Sequence, residues 1–135
     1  MTALTRDRNT PRRDGVQFND PLAAGVKIFA GSLYCLNASG YAVPGSTSTT
    51  LKARGRAEET VDNTSGAAGA ATVEGRRGCF QFANSTTTDE ITRADIGNEC
   101  YIADDQTVAK TSATDTRSVA GVIRDVDSGG VWVEI

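Results

Sequence analysis

The stretch RRGCFQFAN (76–84) decides the fold. Phe80 and Phe82 fall on one side of it and Cys79, Gln81 and Ala83 on the other, the period of two that a half-buried strand requires. The same alternation returns in VWVEI (131–135), where Val131, Val133 and Ile135 oppose Trp132 and Glu134. Before it, DSGG (127–130) has the chemistry of a tight turn, which makes VAGVIRDV (119–126) its hairpin partner.

Working outward, CYIAD (100–104) and TVAKT (107–111) read as a second hairpin about Asp104-Asp105. Nearer the N-terminus, VKIFA (26–30), SLYCLN (32–37), YAV (41–43), LKARGRA (51–57) and TVEG (72–75) are short runs punctuated by Gly, Asn and Pro, with NASG (37–40) as a turn and DNTSGAAGA (62–70) as a long flexible loop. One helical signal interrupts them. Thr87 and Glu90 have capping-box spacing, Ile91, Ala94 and Ile96 follow, and Gly97 would end about two turns. The sum predicts an all-β domain, a compact small barrel or sandwich of short strands with one short helix.

Residues 1–20 lie outside this pattern. They have neither period, contain Pro11, and run into Pro21, so they are expected to form an extended arm ahead of a β-rich domain over 21–135. The formal net charge is −3, yet residues 1–14 hold Arg6, Arg8, Arg12 and Arg13 against Asp7 and Asp14, a sum of +2 that leaves −5 for the rest. An acidic body argues against nucleic-acid binding, which needs a basic face to displace counterions. The arm lacks the apolar core of a secretion signal and no apolar run is long enough to cross a bilayer, so neither export by that route nor a membrane partner is expected.

Cys35, Cys79 and Cys100 are far apart and odd in number; they read as small buried hydrophobes in a reducing cytosol rather than as a disulfide or metal framework. Histidine is absent, which removes the commonest general base, His-dependent nucleophilic catalysis and His-ligated metals. The carboxylate pairs Glu58-Glu59 and Asp104-Asp105 could in principle do glycosidase-like work, but neighbours on a strand face opposite ways and the second pair sits where a turn is needed. GRRG (75–78) is not a phosphate loop, because a strand follows it instead of a helix. No catalytic, cofactor or metal site is therefore expected. Arg54 and Arg56 alternate along a strand, which would put both cations on one face; with Arg76, Arg77 and Trp132 they are the candidate interface residues.

The order of PLAAGVKIFAGSLYCLNASGYAVPG (21–45), RRGCFQFANS (76–85), ADIGNECYIADDQTVAKT (94–111) and GVIRDVDSGGVWVEI (121–135) behind a TALTRDRNTPRRDG (2–15) leader resembles the capsid decoration, or cement, proteins of tailed bacteriophages, of the Mu-like or siphovirus prophage type. That resemblance covers nearly the whole chain. It implies a non-enzymatic virion protein, made in the bacterial cytoplasm, that binds the phage major capsid protein on the outer surface of the shell. It also implies a homo-oligomer, with a trimer at local threefold positions favoured. The arm residues Thr2, Leu4, Arg6, Arg8, Pro11, Arg12 and Arg13 would be the capsid-binding segment: one apolar anchor and four guanidinium forks on a chain free to add to a strand edge. A phage tail or baseplate component and a small-ligand-binding β-barrel are the alternative readings.

Overall fold

The computed structural model describes residues 2–135. The fold is all-β, as the alternation predicts, and falls into a five-stranded sheet, a two-stranded ribbon and a closed barrel, with the strand from Leu33 to Leu36 lending side chains to the cores on both of its sides. Strands β1 (Gln17–Pro21), β2 (Lys27–Ile28), β3 (Leu33–Leu36), β4 (Ala42–Pro44), β5 (Lys52–Ala57), β6 (Val61–Asp62) and β7 (Thr72–Arg76) make up the first half. Five of them form an antiparallel sheet in the order β1-β7-β5-β3-β4, with β2 and β6 as a separate ribbon. Strands β8 (Cys79–Asn84), β9 (Glu99–Ile102), β10 (Thr107–Ala109), β11 (Val119–Asp127) and β12 (Gly130–Glu134) close into a barrel ordered β10-β8-β12-β11-β9.

Two cores follow from the alternation. Phe82, Ile102, Val108, Ile123, Val131 and Val133 point into the barrel, and β3 adds Leu33 and Cys35 from the neighbouring sheet. The opposite side chain of β3, Tyr34, belongs to a second core with Leu22, Ile28, Ala42, Ala57 and Val73. Cys35 and Cys100 are buried, and desolvation pushes each thiol up to about 12.

Four expectations need correction. The expected arm over 1–20 is too long, because β1 begins at Gln17 and pairs along β7; residue 1 lies outside the described residues. Its polar sequence QFNDP is held by two inward side chains, Phe18 and Asp20, that no period would reveal. The short helix is instead two 3-10 turns, Thr87–Asp89 and Arg93–Asp95. Thr87 sits at φ 58, which no right-handed helix admits, and the cap belongs to the next turn, where the Asp95 carboxylate accepts from the Thr92 N–H at 2.8 Å. Cys79 is exposed, on the outward face of β8 with Gln81 and Ala83. Lastly, β5 carries a bulge opposite Tyr34 and Cys35, which sends Arg54 and Arg56 to opposite faces.

Candidate functional site

From Thr2 to Asp14 every residue is exposed, and Leu4 keeps 72% of its surface open to solvent. The one side-chain hydrogen bond within this stretch runs from Arg8 Nη1 to Thr10 Oγ1 at 3.0 Å. Among the described residues Arg6, Arg8, Arg12 and Arg13 have no carboxylate within ion-pair distance. The predicted capsid-binding residues Thr2, Leu4, Arg6, Arg8, Pro11, Arg12 and Arg13 therefore lie together on one exposed segment, whose Arg13 borders a cleft on the body.

What the sequence did not reveal is how that segment is fastened. Arg54 donates from Nε to Asp20 Oδ2 at 2.9 Å and from Nη2 to Oδ1 at 3.1 Å, a bidentate pair, while its guanidinium carbon lies 3.6 Å from the centre of the Phe18 ring. The Tyr34 hydroxyl donates to the same Asp20 Oδ2 at 2.8 Å. Burial, and then the bond to Asp20, drive the Tyr34 phenol well above its ordinary range. Space for that hydroxyl exists because residue 75 is glycine: a Cβ there would stand 1.9 Å from the Tyr34 oxygen. Both side chains that β1 turns inward are thus bound by a cation from β5, through a gap that β7 leaves open. The result is a rivet at the root of the arm.

Of the remaining candidates, Arg56 and Arg76 face each other across β5 and β7, while Trp132 lies apart on the barrel. Arg56 leaves this face, donating to Glu58 Oε1 from Nη2 at 2.7 Å and stacking 4.5 Å from the Phe80 ring. Arg76 is exposed at the end of β7, and Arg77 reaches the Ile135 carbonyl at 3.4 Å. Trp132 lies on the far side of β12 from the core residues Val131 and Val133, half-buried, with its indole N–H donating to Asp127 Oδ2 at 2.9 Å. It braces the β11–β12 turn. Together the five do not form one patch.

The carboxylate pairs are occupied with structure. Glu58 holds Arg56, Glu59 accepts the Glu74 backbone N–H at 3.2 Å, and Asp104 caps the turn by accepting from the Gln106 N–H at 2.9 Å. Beside β1 lies an open cleft of about 260 Å³, bounded by Arg13, Phe18, Asn19, Glu58 and Glu74. The feature that stands out is therefore an exposed cationic arm joined through a riveted edge strand to a β body. The chain matches no family model, no curated protein and no solved structure.

Proposed function

We propose that the protein is a structural decoration protein of a tailed-phage capsid, which binds the outside of the shell and holds neighbouring major capsid subunits together. The observation that carries the reading is the contrast at residue 16: thirteen described residues, Thr2 to Asp14, without cover on their own body, followed at once by a strand locked in place. A tether that bears load needs both properties. Its free part can lie in an extended shape along a foreign strand edge, its guanidinium groups can fork onto carboxylates, and its anchored end keeps the barrel from being left behind.

One such arm binds modestly, since ordering it opposes the contacts it gains. Several arms on one oligomer make each later contact intramolecular, and dissociation slows accordingly. The body has no reaction to perform in this reading.

The test is co-sedimentation with expanded shells of the phage whose head genes accompany this one. The full chain is expected to coat them. The chain lacking residues 2–14 is expected to lose coating by 100-fold or more while keeping its thermal midpoint. Equal coating by the shortened chain rejects the arm as tether, and a full chain found on tails but not heads moves the protein to the tail or baseplate.

A further inference from the structure

The register of β1 exposes a second half to this site. Val16 accepts from the Arg77 N–H at 2.9 Å and Leu22 donates to the Ala71 carbonyl at 2.9 Å, so in the antiparallel pairing of Gln17–Pro21 with β7 the even positions turn their backbone groups toward β7. The odd positions turn theirs away. Gln17 and Asn19 thus present both N–H and C=O on the outer side of the sheet, and residue 21, where an outward N–H would stand next, is proline. Among the described residues nothing bonds to those two N–H groups. The open part of the edge is short: Pro21 ends it, and beyond it the Ala23 N–H, on the same outward side, already donates to the Ala42 carbonyl at 3.0 Å, which leaves Gln17 and Asn19 as the positions that neither lysine nor bulge guards.

We infer that this edge receives the arm of a second copy of the chain. Charge favours that occupant: Glu74 borders the cleft beside β1 with no ion-pair partner among the described residues, Glu58 borders it while paired with Arg56, the arm carries four arginines, and the chain's own Arg13 already lines the cleft. Reach permits it, because thirteen extended residues span about 43 Å. The arm also contains a proline-free run, Thr2–Thr10, long enough to pair with the whole edge. Pairing of this kind is head-to-tail, each copy giving an arm and taking one, and it closes into a ring where the rotation between copies allows.

This inference rests on the decoration reading for its purpose and not for its physics. An arm seated on a neighbour's β1 still has a second backbone edge, and that edge is the one left for a shell strand. Seating it in advance removes much of the ordering cost that a loose arm would meet at the shell.

The experiment is done on the full chain without shells. Gln17→Pro with Asn19→Pro removes the outward donors and leaves in place the backbone groups of Phe18 and Asp20 that bond to β7. The parent chain is expected to be oligomeric by sedimentation velocity at micromolar concentration, and the double variant to dissociate at concentrations at least 10-fold higher. In the parent, amide exchange at Gln17 and Asn19 is expected to slow at least 10-fold between dilute monomer and concentrated oligomer, with Phe18 and Asp20 slow in both. That second measurement needs no variant. A monomeric parent, an unchanged mass for the double variant, or concentration-independent exchange at Gln17 and Asn19 overturns the proposal. So does loss of shell binding by the variant with its mass intact, which would make a shell strand the occupant. A parent that oligomerises through this edge yet ignores shells rejects the decoration reading alone.

Discussion

At Asp20 a carboxylate whose side chain is 10% exposed accepts two hydrogen bonds from Arg54 and one from Tyr34, so neutralising it leaves donors facing an amide inside the sheet. Asp20→Asn is expected to lower the free energy of unfolding by about 2 kcal/mol, the lower part of the range for hydrogen bonds to charged groups, because Arg54 can turn partly to water. Gly75→Ala should cost about the same through overlap with the Tyr34 hydroxyl. Urea unfolding reads both, and an effect below 0.5 kcal/mol in each would mean that the rivet is ornamental. None of this was legible beforehand. Thirty-four residues separate Asp20 from Arg54, and the reading that put Arg54 beside Arg56 assumed a strand without a bulge. Alternation locates faces only as long as the count of two is unbroken.

Among the elements, β8 and β12 were readable because each buries one face against the barrel core and shows the other to water, and β11, whose alternation two bulges interrupt, was readable through the turn that joins it to β12. The arm was readable for the opposite reason, having no face to bury. Failure came between β8 and β9, where side chains replace backbone pairing. Asn84 donates from Nδ2 to the Ile91 carbonyl at 2.8 Å and accepts the Ile91 N–H at 2.9 Å, doing for one residue what a strand would do for several. It holds Ile91 in the barrel core, where that side chain is fully buried. Asn84→Ala should therefore strand both backbone groups of Ile91 and remove about 2 kcal/mol, a fall in thermal midpoint of about 8 °C that a scan by circular dichroism would detect. Two 3-10 turns need such a clasp because neither is long enough to hold itself.

Across the whole molecule, acid should act through carboxylates that the fold holds below their ordinary value of about 3.9. Hydrogen bonds from Thr111 and then Arg117 lower Asp89, the Thr92 N–H lowers Asp95, and the Trp132 indole N–H followed by the Gly129 N–H lowers Asp127. Each binds its proton more weakly folded than unfolded, so its contribution is complete above the unfolded value and disappears as pH falls through the lower folded one. Unfolding in urea should give a free energy that is flat from pH 7 to about 5 and drops below about 4, with Trp132 emission changing over the same interval. Stability that rises on acidification would contradict these assignments.

The barrel also constrains how the chain is made. Its strand β12 comes last in sequence but lies between β8 and β11, so the ring stays split until residues 130–134 have left the ribosome. At about 5–20 residues per second the ribosome keeps the facing margin of β8 bare for several seconds and that of β11 for about one, with Phe82 and Ile123 uncovered beside them. A stalled or nicked polypeptide would be adhesive along that seam, and cells making it in quantity would gather it into inclusion bodies sooner than into soluble fragments.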